Sequence, residues 1–152
     1  MEIKVIDKNQ ISYSINYEVA SAERMNGEYM LINFDTGIYY SVANFGADII
    51  TLISEKVDRN SWETILRDSW NVKPTVMLEA QINDFLELLI RHNLIYKIDI
   101  FDSVDCKIPE DLDRKDFSFP PLKIFEDMSD LLMIDPIHDT TLRGWPEVEN
   151  RD

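Results

Sequence analysis

The residues best suited to chemistry are few and scattered. Cys106 is the single cysteine, and His92 and His138 are the two histidines. One thiol cannot close an internal disulfide, and two imidazoles so far apart give no recognised zinc-ligand spacing. His138 is flanked by Asp135 and Asp139, but one imidazole with two carboxylates in a proline-broken segment more often means local hydrogen bonding than a metal. Cys106 and His138 make a nucleophile and base only if folding joins them, and Cys106 stands in a charged stretch without a supporting motif. The acid pairs Asp111 with Asp113 and Asp127 with Asp130 read as solvated faces. Gly27, Gly37, Gly46 and Gly144 are spread over turns and one helix start, so they form no phosphate-binding loop. The expectation is a protein that is not an enzyme and uses neither cofactor nor metal.

Charge narrows the partners. With 29 acidic and 15 basic residues the net charge is −14, and the field of such a chain repels phosphate polyanions. Nucleic acid is therefore not expected as a partner. No run of about 18 apolar residues exists to span a membrane, and Met1 to Asn16 lacks the basic and apolar regions of an export signal. A cytoplasmic location is expected. Five of the six prolines and a net charge of −8 fall from Phe101 onward, where periodic patterning also fades.

The elements that must position any site are legible in the first hundred residues. Ile3 and Val5, then Ile11, Tyr13 and Ile15, alternate around Asp7-Lys8-Asn9-Gln10 and suggest an N-terminal hairpin. Asn26-Gly27 suits a type I′ turn, and Asp35-Thr36-Gly37 a three-residue loop whose glycine takes positive φ. Three antiparallel strands follow, near 18–25, 28–34 and 38–42. Met30, Ile32 and Phe34 share one face of the second and Ile38, Tyr40 and Val42 one face of the third, and both faces need a cover. Asn44 is the expected cap of a helix over 45–56, with Phe45, Ile49, Leu52 and Ile53 on one stripe. Asn60-Ser61-Trp62-Glu63 opens a second helix. Pro74-Thr75 opens a third, whose Leu78, Ile82, Phe85, Leu86 and Leu89 form a buried face, with Arg91 and His92 at its carboxyl end and Asn93 ending it. Leu94 to Ile98 reads as a short strand. Pro120-Pro121 precedes Leu122, Phe125, Met128, Leu131 and Leu132, a short amphipathic helix by spacing, stopped by Asp135-Pro136. The division is an N-terminal hairpin (1–16), a domain (17–98), an acidic linker (99–116) and a tail (117–152).

The segment from Asp35 to Ile50 resembles the signature of the PqqD-like family. Asp35, Gly37, Tyr39, Tyr40, Gly46, Ala47 and Ile49 stand in the family's order and spacing, whereas Val42-Ala43 replaces the usual Leu-Asn and Ile50 the usual tryptophan. The similarity runs from about Tyr17 to Lys97. It implies an α+β winged helix-turn-helix, three antiparallel strands followed by three helices. It also implies a non-catalytic peptide chaperone, or recognition element, for ribosomally made and post-translationally modified peptides. In such proteins a leader peptide adds as an antiparallel strand beside the third strand and lies in the groove between it and the third helix. Carried over by position, the strand edge is Ile38, Tyr39, Tyr40, Ser41 and Val42, and the groove wall is Met77, Gln81, Asp84, Leu88 and Arg91. Strand addition needs an edge with unpaired backbone groups and makes little demand on sequence. The partners implied are a precursor peptide and a modifying enzyme, such as a radical S-adenosylmethionine enzyme or a leader protease with a macrocyclase.

The tail resembles an extension found on a subset of the same family. Phe125, Met128, Leu131, Leu132 and Trp145 are too many apolar side chains for a disordered acidic tail, and they are expected to dock. The tail completes its own domain, docks on the partner enzyme, or occupies the peptide groove in cis. Two rival functions remain: a winged-helix DNA-binding regulator, disfavoured because Glu79, Asp84 and Glu87 share the third helix with Arg91, and a structural or regulatory subunit acting through the tail.

Overall fold

The computed structural model describes residues 10–73, 75–100 and 106–126. The expected strand at Ile3 and Val5 and the tail residues Met128, Leu131, Leu132, His138 and Trp145 lie outside the described residues.

Antiparallel sheets and three helices make an α+β fold. β1 (Ile11–Ile15) carries four buried residues in a row, Ser12 to Ile15, and its described partner is β5 (Ile95–Asp99), with Tyr13 opposite Lys97. Ile11–Ile15 is thus built into the domain through the strand that follows the last helix. Between them in the chain, β2 (Ala20–Met25) and β3 (Glu28–Asn33) are joined by Asn26 and Gly27 at φ 54° and 79°, the pair of positive values that a type I′ turn requires. β4 (Ile38–Ala43) follows a turn in which the Asn33 Oδ1 accepts from the Asp35 and Thr36 amides at 2.9 and 3.2 Å and Gly37 takes φ 75°.

β3 buries Tyr29, Leu31 and Asn33. These stand opposite Val42, Tyr40 and Ile38, so the core face of β4 is the expected one. The core face of β3 is the other one: Met30 and Ile32 are half-buried and Phe34 is exposed. Alternation alone gave two apolar faces on β3, and tertiary packing chose Tyr29 and Leu31.

α1 (Phe45–Ser54) is buried from Phe45 through Ile53. Apolar residues on every side suit a helix enclosed on all sides, and it packs against β1, β3 and β4. Asn44 precedes it at φ 56° without a side-chain cap, so the expected cap is absent. A Cβ on Gly46 would meet Val42 Cγ1 at 2.7 Å, and only glycine lets α1 approach β4 so closely. A short 3-10 turn (Arg59–Ser61), capped by the Asp58 carboxylate rather than by Asn60 or Ser61, leads into α2 (Trp62–Trp70). α3 (Val76–Arg91) starts where the Thr75 hydroxyl accepts from the Leu78 amide and buries Ile82, Phe85, Leu86 and Leu89. Asn93 ends that region at φ 63°.

The last element corrects two expectations. Lys123–Phe125 forms β6, paired antiparallel with β4 in a sheet ordered β2-β3-β4-β6. Leu122 to Phe125 therefore does not begin a helix, and the far edge of β4 is not open along Tyr39–Ser41.

Candidate functional site

β4 is positioned by β3 on one side and by α1 packed against it. The Tyr40 side chain is buried against the sheet's covered face, its hydroxyl 3.0 Å from His92 Nδ1, and the rings meet edge to face at 5.2 Å. Asn33 Nδ2 donates to the His92 carbonyl at 3.0 Å. These contacts fix the end of α3 to the strands. Burial of Tyr40 pushes its phenol above the ordinary value, so it stays neutral at this contact.

A furrow lies between α3 and the segment that leads into β6, lined by Gln81, Asp84, Phe85 and Leu88 of α3 and by Phe119, Pro120, Pro121 and Leu122, with no residue of β4 in its wall. Among the expected groove residues, Gln81, Asp84 and Leu88 fall together on it. Met77 and Arg91 do not line it; both are exposed on the same helix, one toward each end. Phe85 lines it too, and the sequence placed that residue only in the core stripe, since one ring edge serves both. Of the expected strand-edge residues, Tyr39, Tyr40 and Ser41 stand opposite Phe125, Ile124 and Lys123, while Ile38 and Val42 flank that pairing. Tyr39 is half-buried, and the Ser41 hydroxyl donates to the Glu28 carboxylate. Phe125, expected to dock, is half-buried in β6.

Within the stretch expected as an acidic linker, residues 106–116 lie against the domain as a strap. Ile108 is buried and Leu112 packs partly on the core. Asp48, fully buried on α1, accepts from Trp70 Nε1 at 2.6 Å and from Arg114 at 2.8 and 3.0 Å, and pairs with Arg24 at 3.1 Å. Arg24 in turn donates two bonds to Asp111, at 2.8 and 2.7 Å, and Asp111 accepts from the Gly27 amide at 2.9 Å. The hydrogen bonds from Arg24 bring the Asp111 carboxyl down to about 2. Asp111 is thus a structural anion rather than part of a solvated face. Further on, the Phe45 amide donates to the Ser118 carbonyl at 3.2 Å. Phe119 lies between Phe45 and Phe85 with ring centroids 5.1 and 5.4 Å away, and Phe117 lies 4.9 Å from Phe45.

After Phe119 the hold weakens. Lys123 and Ile124 are exposed and Phe125 half-buried. A backbone hydrogen bond contributes about 0.5–1.5 kcal/mol net, and ordering a residue's backbone costs about 1–2 kcal/mol, so a three-residue strand is close to neutral by itself. Strand β6 persists because the strap delivers it to the edge.

Burial pushes the Cys106 thiol above its ordinary value, the opposite of an activated thiolate. Among the described residues no group of three or more His, Cys, Asp or Glu side chains is placed to hold a metal ion, and no helix is long and apolar enough to cross a membrane. Comparison with family models, with curated proteins and with solved structures finds no match to the chain.

Proposed function

We propose that the chain is a non-catalytic peptide-binding module of winged-helix, PqqD-like type, which takes the leader of a ribosomally made precursor peptide as an antiparallel strand at β4 and presents it to a separate modifying enzyme. One observation carries the reading. The outer edge of β4 pairs with the short extended segment Lys123–Phe125, and the residues just before that segment face Gln81, Asp84, Phe85 and Leu88 of α3 across a furrow. An edge that accepts a three-residue strand with exposed side chains gives affinity through backbone, and a furrow next to it gives selectivity through side chains. The run β2, β3 and β4 followed by α1, α2 and α3 supports a winged-helix reading, with α2 and α3 as the helix-turn-helix and with β1, β5 and β6 as additions to it. A cytoplasmic module acting with a radical S-adenosylmethionine enzyme, or with a leader protease and macrocyclase, fits the resemblance from Asp35 to Ile50.

The test is a fluorescence anisotropy titration of the full chain with a labelled leader peptide, taken from a short precursor frame encoded beside it. Saturable binding that a scrambled leader does not reproduce is expected. Equal binding of the scrambled peptide, or none of either, overturns the reading.

A further inference from the structure

The strap and β6 are held in different ways. Up to Phe119 the chain is anchored by side-chain and backbone contacts to the domain: the buried Asp48 with Arg114, Arg24 with Asp111, the Phe45 amide with the Ser118 carbonyl, and Phe119 between Phe45 and Phe85. Beyond it come Pro120 and Pro121, which have no amide hydrogen to give, then Leu122, partly buried against the core, and a three-residue strand in which Lys123 and Ile124 are exposed and Phe125 is half-buried. The division falls at the mouth of the furrow, since Phe119 to Leu122 line it together with α3. Short segments with exposed hydrogen bonds and little buried apolar surface open locally, at far lower free energy than the core.

We infer that Leu122–Phe125 is a displaceable ligand in cis: it holds the β4 edge until an extended peptide replaces it, while the strap to Phe119 stays in place. This rests on the reading of β4 as a peptide-binding edge. The incoming peptide is one that offers apolar side chains where Leu122 and Phe125 now lie, both half-buried. A cis occupant present at high effective concentration lowers apparent affinity by the fraction of open molecules, so only peptides that outbid it are retained.

Two measurements on the full chain test the inference. The first is native-state hydrogen exchange without peptide. The amides of Lys123–Phe125 are expected to exchange at least about a hundredfold faster than those of β3 and than the Phe45 amide. Equal protection of β6 and the core overturns the inference, because the edge is then permanently closed.

The second compares leader affinity in three forms: the wild type, a released form (K123S, I124G and F125S together) and a locked form (S41C with K123C, in a C106S background). Ser41 and Lys123 stand directly opposite each other, within reach of a cross-strand disulfide. Expected are affinity about tenfold tighter in the released form, loss of binding in the oxidised lock, and recovery on reduction, which shows that the locked chain is folded. Leader bound equally by all three forms overturns displacement and leaves a peptide-binding protein. Fast exchange of β6 with no leader bound by the released form overturns the peptide-binding reading instead and leaves the local release standing.

Discussion

Tyr40 stands directly opposite Ile124 in the pairing of β4 with β6, and its hydroxyl reaches back 3.0 Å to His92 Nδ1 at the end of α3. One residue thus ties the strand edge to the helix that walls the furrow. Proline at this position would break pairing on both sides of a buried strand, so the informative change is smaller. Tyr40→Phe is expected to lower stability by about 1 kcal/mol, seen as a lower urea midpoint at unchanged slope. An unchanged midpoint would show that the contact with His92 contributes nothing net.

The buried carboxylate of Asp48 holds three donors, from Trp70, Arg24 and Arg114. Removing one partner of a buried charge network is costly because the others are left uncompensated, about 3–5 kcal/mol. Asp48→Ala is expected to lose that much in equilibrium denaturation. Asp48→Asn keeps an acceptor for Trp70 and is expected to lose less. A loss under about 1 kcal/mol for Asp48→Ala would mean that the strap is not held by this charge.

Asp111 gives the strap a pH dependence. Its carboxyl titrates at about 2 in the folded chain against an ordinary 3.8, so its stabilising contribution is complete above about 4 and is lost as pH falls toward 2. The wild type is expected to be more stable than Asp111→Asn at pH 6, with the gap closing between pH 4 and pH 2. Urea midpoints measured across that range check it. A gap that stays constant would assign the difference to something other than this carboxylate.

On the furrow wall, Leu88 and Arg91 separate the roles of one helix. Leu88 lines the furrow and Arg91 does not. Leu88→Glu is expected to weaken leader binding at least about tenfold, the scale of losing a buried leucine contact. Arg91→Ala is expected to bind as the wild type does. Anisotropy titrations that reverse this order would move the site away from the furrow.

Local chemistry made much of the fold legible. Asn26-Gly27 could take the positive φ values of its turn, Thr75 could cap α3, and Ile82, Phe85, Leu86 and Leu89 recur at helical steps. What was not legible depends on distance along the chain. Arg24 meets Asp111 across 87 positions and Arg114 meets Asp48 across 66, so the acidic stretch read as linker although Asp111 and Arg114 within it are paired with the domain. Strand β6 was missed for a different reason. Three residues are too few for a period of two to show, and Leu122 with Phe125 fits a helical step equally well. The furrow wall was half legible: Gln81, Asp84 and Leu88 follow from helix geometry, but the furrow's extent was set by Phe119 to Leu122, which no periodicity of α3 reports.

The most direct measurement is isotope-filtered NMR on the full chain bound to an unlabelled leader, reading cross-strand contacts from the Tyr39–Ser41 amides. Contacts to the leader in place of those to Lys123–Phe125 are the predicted result. Contacts to Lys123–Phe125 that persist unchanged with the leader bound elsewhere would contradict the account.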